Sequence, residues 1–539
     1  MIRPILPSGP ICFCLAAVAL TPPCRANVSL PPIFADNMVI QQQTDITVWG
    51  KADPDESVTV KIGPDSQQAI AGEDRNWEVK LDGLKAGGPY EMTVSGKNSI
   101  TLHNVAVGEI WVCSGESNME FKVMAARNGP EEMAEAHLPM VRVFTVKHNA
   151  AEKPVRDCEG AWTVCDPDTV KDFSAVAYFF AHELNPAMRM PIGLIQSAWG
   201  PSPAVAWTPH NILDKDPAFR TVMDMYGRTV VDFPDALAAY KTRLAQWKTA
   251  CDAAKAAGSP APRKPLEPLP PGGPREPSAL YNGMIYPLLR YAIRGVLWYQ
   301  GESDTSDPLL YRRLFPAMIA AWRNAWNQGD FPFLYVQLSD FLGRHPQPAE
   351  SNWAELREAQ SLALNTPRTG MAVTIDTGEE YNMHPADKQT VAHRLALIAQ
   401  SQVYGKSAVA TSGPVFDRMQ IADGKATVSF THEEGGLATR NGPPLKGFAI
   451  AGEDRKFVWA SAEIRGDKVI VQSPDVPNPV AVRYAWADFP DCGLVNKARL
   501  PAEPFRTDDW VAGEPSASPT PSASPTKPHR KHHLAPAQP

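Results

Sequence analysis

Val105-Ala106-Val107-Gly108-Glu109-Ile110-Trp111-Val112-Cys113 runs directly into Ser114-Gly115-Glu116-Ser117-Asn118-Met119, and this junction decides the fold class. The apolar run reads as a buried strand. Where such a strand breaks into small polar residues it presents a hydroxyl at the carboxyl edge of the sheet, where open α/β sheets place their chemistry. Ser117 is the candidate nucleophile. Two further segments behave alike: residues 294–299 lead into Gln300-Gly301-Glu302-Ser303-Asp304, and residues 370–375 lead towards Asn382-Met383-His384-Pro385. Together they supply a serine, oxyanion donors and a histidine, with the serine first.

Outward from that junction, residues 105–405 alternate apolar strands with helical patterns. Helices are predicted over 173–184 and 386–403, and strands over 192–195, 333–336 and 371–375. Strand and helix in turn imply an α/β domain with a mostly parallel sheet and helices on both faces. Within it, residues 210–277 read as a surface insertion. A helix rich in Ala and Lys (232–257) precedes a proline-rich stretch (258–277) that cannot form a regular element. Residues 27–104 show period-2 alternation at Val58, Val60 and Ile62, then Trp77, Val79 and Leu81, which predicts a small N-terminal β-domain. Alternation returns over 406–511 at Ala426, Val428 and Phe430, predicting a C-terminal β-sandwich. The Pro/Ser-rich tail, 512–539, lacks core-forming residues and is expected to be disordered.

Two or three domains suit a chain of 539 residues. With 44% apolar and 21% charged residues and a net charge of -7, it has no basic footprint for nucleic acid. Residues 1–26 carry Arg3, an apolar run over 11–20 and a closing Ala26, which reads as a secretory signal peptide. The apolar run is too short for a membrane span, which takes about 20 residues. No span is expected in the mature chain, and a periplasmic or secreted location follows. Loss of the signal would leave Cys113, Cys158, Cys165, Cys251 and Cys492. Cys158 and Cys165 are close enough in sequence to close a small loop in an oxidising compartment. Neither a CxxC pair nor an HExxH arrangement occurs, so a zinc site has little support.

A serine hydroxyl needs a positioned base, and histidine suits the role because it titrates near neutrality. Among twelve histidines, His384 alone follows a predicted strand end and precedes a proline and a helix. An isolated histidine is ordinarily a surface or satisfied core residue. The paired strand-end junctions favour chemistry instead.

From Leu30 to about Trp510 the chain resembles the sialate O-acetylesterase family of the SGNH hydrolase superfamily, in its secreted bacterial form. The matching stretches are 33–39, 107–119, 191–207, 280–304, 356–360 and 374–388. The resemblance implies a flavodoxin-like three-layer catalytic domain flanked by β-domains. It also implies a serine carboxylic-ester hydrolase acting on acetylated carbohydrate, with no metal or organic cofactor. Ser117 maps to the family nucleophile and His384 to its base. The oxyanion hole would be formed by the backbone N–H groups of Ser117 and Gly200, with Gln300 or Ser303 as third donor. Gln300 is favoured for its longer reach. Substrate contacts fall on Asn118, Trp199, Glu302 and Arg357, with Gln360 beside Arg357. Trp207, Trp298 and Tyr299 are read as core residues before sugar platforms.

Three departures from the family pattern matter. Glu116 stands where the family carries glutamine, and its charge would oppose an oxyanion unless it turns away or is hydrogen-bonded elsewhere. Pro201 replaces a glycine and removes a backbone donor. Asn382 and Tyr381 stand where the family puts its orienting aspartate. Asp376, Glu379 or Glu380 would have to substitute, or the site is a Ser-His dyad. Loss of a triad aspartate costs about 10⁴-fold in rate where nothing replaces it. The leading expectation is therefore a carbohydrate O-acetylesterase working through an acyl-serine, on acetylated sialic acid or on acetylated xylan. A catalytically impaired glycan-binding relative is the alternative. A glycosidase is a third reading and would need Glu116 and Glu302 to flank a glycosidic bond.

Overall fold

The computed structural model describes residues 27–268 and 270–510. The expected signal peptide and tail lie outside the described residues. The strand read from the opening stretch is β1 (Ser99–Gly115). It is followed by β2 (Leu138–Val146), β3 (Gly160–Cys165), β4 (Ile192–Ala198), β5 (Gly295–Tyr299), β6 (Phe333–Val336) and β7 (Thr369–Ala372). Their order across the sheet is β7-β6-β5-β1-β4-β2-β3. All neighbours are parallel except β2 and β3.

Every residue of β1 from Val105 to Gly115 is buried, as a central strand covered on both faces requires. Ile110 and Val112 enter one core, whereas Trp111 and Cys113 enter the other. After β1 comes the single turn α1 (Ser117–Glu120), then α2 (Ala175–Met188), α3 (Pro217–Ala256), α4 (Pro308–Trp326), α5 (Asn352–Leu362) and α6 (Lys388–Gln402). Helices α2 and α6 share the core of Trp111, while α4 and α5 share that of Ile110. Ser174 caps α2 by accepting from Ala177 N, and Asp387 caps α6 by accepting from Thr390 N.

From β1 the chain builds β2 to β4 on one side and then crosses to build β5 to β7 on the other. The carboxyl ends of β4 and β5 both lie beside Gly115. Ser117 therefore sits at the point where strand order reverses, the usual ligand position in such sheets.

The first part of β1 pairs antiparallel with Gly87–Ser95, and Val39–Gln41 pairs parallel with its middle. The expected boundary at 104/105 thus falls inside one strand that serves both the N-terminal strands and the central sheet. Towards the C-terminus lie two four-stranded sheets and one two-stranded sheet. Val58, Val60 and Ile62, and likewise Ala426, Val428 and Phe430, are the buried residues of their strands, as alternation predicts.

Helix α3 begins well before the predicted 232, because Asp216 caps it and Pro217 starts it while Gly227 and Pro234 interrupt the helical pattern. Of its side chains only Phe219 and Tyr240 are buried. With the proline-rich stretch it lines a cavity whose far wall includes Ser303 and Asp304. Cys158 and Cys165 do not pair: both are free thiols, and they belong to cores on opposite sides of the sheet. Among the described residues no helix is long and apolar enough to cross a membrane.

Candidate active site

The nucleophile turn begins with Gly115 at φ +134°, where an added Cβ would lie 2.1 Å from Tyr299 O. Only glycine fits there. Glu116 N donates to Tyr299 O at 3.0 Å and Trp199 N donates to Gly115 O at 3.1 Å, which pins the turn between the ends of β5 and β4. Ser117 then opens α1, and its N–H has no partner among the described residues, as at any helix start.

Beyond β7, Asn382 cradles the histidine. Its Oδ1 accepts His384 N and its Nδ2 donates to His384 O, each at 3.0 Å. The imidazole Nε2 lies 2.8 Å from Ser117 Oγ. For Nε2 to accept the serine proton, Nδ1 must carry the ring hydrogen. No described residue accepts from Nδ1. Burial holds the His384 pKa below its ordinary value; the Lys388 charge adds to this and the Glu116 charge opposes it.

None of the expected acids faces His384. Asp376 is bound by Arg394 at 2.6 Å and by Arg440 at 2.7 Å. Burial raises its pKa, but these guanidinium groups outweigh it and the net shift is downward. Glu380 accepts from Arg344 N, and Glu379 accepts from Ala386 N and Asn382 Nδ2. Glu379 is thus spent on the loop that carries the histidine, and Glu380 on a neighbouring loop.

Glu116 is hydrogen-bonded elsewhere. Its carboxylate accepts from Gly301 N at 3.1 Å, Ser303 N at 3.2 Å and Ser303 Oγ at 2.6 Å, with Ser202 N at 3.4 Å. Ser303 is thereby removed as an oxyanion donor. Gln300 is also corrected: its amide nitrogen donates to Ser202 O and Asp304, away from Ser117. Gly200 does lie against Ser117, since a Cβ there would be 2.2 Å from Ser117 N. Its N–H, however, is given to Glu120 Oε2 at 2.7 Å. The other oxygen of Glu120 is 2.8 Å from His148 Nε2, and the His148 ring stacks on Trp199 at 4.3 Å.

Several residues expected to contact substrate are interior. Arg357 is fully buried and donates to the carbonyls of Leu338, Ser339, Ala487 and Asp488, so it ties α5 to the C-terminal part of the chain. Gln360 joins Gln300 O, Val336 O and Leu338 N in the same interior. Asn118 is fully buried; its partners are Glu302, Met383 and Lys388. Glu302 is buried as well; burial first, then the Glu116 charge, hold its carboxyl well above the usual range. Trp298, Trp207 and Tyr299 pack in the core. Trp199 remains half-buried at the rim.

Sequence reasoning missed Glu120, His148 and Lys388. Glu120 had a signal, because three residues beyond Ser117 is one turn along the same helical face. Lys388, four residues past His384, is fully buried against Phe121 and Tyr299, with its pKa pushed down to about 7 chiefly by burial. His148 had no sequence signal.

The family model described as "Carbohydrate esterase, sialic acid-specific acetylesterase" matches residues 275–400. The sialate O-acetylesterase of Rattus norvegicus is 28% identical over 523 residues, covering 88% of this chain and 93% of its own. That of Homo sapiens is 28% identical over 517 residues, covering 87% and 90%. A solved structure, described as a novel carbohydrate acetylesterase from Xanthomonas citri, is 35% identical with a TM-score of 0.76; the match covers 90% of this chain and 100% of that one. A match of that identity over the full length of a solved acetylesterase, together with the relatives' coverage, places the family beyond the fold alone: the chain belongs to the sialate O-acetylesterase family of carbohydrate esterases.

Proposed function

We propose that this chain removes acetyl groups from acetylated sugars by a serine acyl-enzyme route, on a three-layer SGNH-type domain exported from the cytoplasm. The observation that carries the reading is the 2.8 Å contact between Ser117 Oγ and His384 Nε2 at the carboxyl edge of the sheet. Ser117 Oγ attacks the acetyl carbonyl while its proton passes to His384 Nε2. The developing oxyanion meets the unpartnered Ser117 N–H, and then the Gly200 N–H once Glu120 turns towards His148. His384 returns the proton to the sugar oxygen, which leaves. Water, deprotonated by the same nitrogen, attacks the acyl-serine; as acetate departs, His384 gives that proton to Ser117 Oγ and the hydroxyl is restored.

The site is a dyad. Among the described residues no carboxylate accepts from His384 Nδ1, and the neutral imidazole is favoured by burial and by the nearby Lys388 charge. A glycosidase is disfavoured, because Glu116 and Glu302 are both buried instead of flanking an open cleft. Hydrolysis of 4-nitrophenyl acetate by the purified chain, lost in Ser117→Ala, tests the reading. If wild type and Ser117→Ala were equally inactive while glycan still bound, the non-catalytic alternative would replace it. A panel of acetylated sialic acid and acetylated xylan then assigns the sugar.

A further inference from the structure

Three hydrogen bonds leave the side chain of Asn118, and each ends on a different part of the site. Nδ2 donates to Met383 O at 3.0 Å and to Glu302 Oε1 at 2.6 Å. Oδ1 accepts from Lys388 Nζ at 2.5 Å. A backbone carbonyl can only accept, so the contact with Met383 O fixes which end of the amide is nitrogen. The NH2 end is thereby aimed at Met383.

Asn118 is covalently next to Ser117, and Met383 is covalently next to His384. One part-buried hydrogen bond, donated by the fully buried Asn118, therefore joins the turn of Ser117 to the loop of His384. Next to His384 itself the loop is held by Asn382 and Glu379, which are exposed to water, and further along by Arg127 N, which donates to Ala386 O at 2.9 Å. Water competes for such bonds and weakens their hold on geometry. In a triad the carboxylate would grip the imidazole through Nδ1, and here that nitrogen has no partner among the described residues.

We propose that Asn118 is the positioning residue that stands in for the orienting acid, setting the separation of Ser117 and His384 with Lys388 and Glu302 as its supports. This rests on the Ser-His reading above. Lys388 is itself locked: it opens α6, and its ammonium lies 4.8 Å from the Phe121 ring and 5.2 Å from the Tyr299 ring. The clamp is thus anchored to the helix that follows His384 and to the strand beside β1. A misplacement of about 1 Å between reacting groups costs roughly 100-fold in rate, which sets the scale of the expected effect.

Asn118→Asp keeps the shape and the bond from Lys388 but turns a carboxylate oxygen towards Met383 O. With melting temperature as a check on folding, its kcat on 4-nitrophenyl acetate should fall at least tenfold while KM stays within twofold. Lys388→Met frees the amide to flip. It should also lower kcat, and the acid limb of its kcat/KM profile should move up towards the ordinary histidine value as the neighbouring charge disappears. A folded Asn118→Asp with kcat within twofold of wild type would overturn the proposal. If Asn118→Asp does not fold, Lys388→Met decides, and wild-type kcat there overturns it. Ser117→Ala run alongside separates the two claims: activity retained in Ser117→Ala sinks the serine mechanism itself, whereas activity lost there but kept in Asn118→Asp sinks only the clamp.

Discussion

Glu120 Oε2 accepts the backbone N–H of Gly200 at 2.7 Å, so a carboxylate rests where the carbonyl oxygen of a bound acetyl group would collect its second donor. Glu120 then competes with substrate for one hydrogen bond. A hydrogen bond to a carboxylate is worth about 1.5–3 kcal/mol, or on the order of tenfold or more in affinity. Glu120→Ala should lower KM for a small acetyl ester by about that factor. A raised KM would mean that Glu120 serves to hold Gly200 in place instead.

Activity should depend on pH through His384. The base must be neutral, and its pKa lies below the ordinary histidine value of 6.5 because of burial and the Lys388 charge. Activity is accordingly retained at pH 6.5 and falls only as pH drops through the lowered value. A kcat/KM profile with its acid limb above 6.5 would contradict this environment.

Asp376 separates structure from catalysis. Its carboxylate is tied to Arg394 and Arg440, and removing one partner of a buried ion pair costs about 3 kcal/mol. Asp376→Asn should therefore lower denaturant stability by that order while turnover by the folded enzyme stays within threefold of wild type. Since the folded pKa is depressed, the stabilisation is present above the unfolded value and disappears as pH falls through the folded one. A collapse of turnover approaching the loss of about 10⁴-fold seen when a triad aspartate is removed would restore Asp376 as the orienting acid.

Gly200→Ala places a Cβ 2.2 Å from Ser117 N and 2.5 Å from Ser117 Cβ. The two segments must part, and kcat/KM should fall by roughly 100-fold. Wild-type kinetics in this variant would show that the loop after β4 takes no part in positioning the nucleophile.

The central sheet was legible because β1 is covered on both faces from Val105 on, so its sequence up to Cys113 is apolar but for Glu109, which Arg294 pairs. His384 was legible for a related reason, lying between a strand end and a helix start. The polar residues around them were harder to read. Asn118, Arg357 and Gln300 carry side chains that usually meet water or substrate, and nothing in their order reveals that they point inward to buried carbonyls and to Lys388. A lysine is seldom interior, so Lys388 escaped notice until packing placed it under the nucleophile turn. The missing acid was legible as an absence at Tyr381 and Asn382, but Asp376 could be excluded only when Arg440, far along the chain, was seen to occupy it. The start of α3 was hidden by Gly227 within an otherwise solvent-facing helix.

The most direct measurement is the intact mass of enzyme quenched during turnover of 4-nitrophenyl acetate, followed by peptide mapping. One acetyl group on Ser117, absent from Ser117→Ala, is the predicted result. Turnover with no adduct, or with acetyl on another residue, would contradict the account.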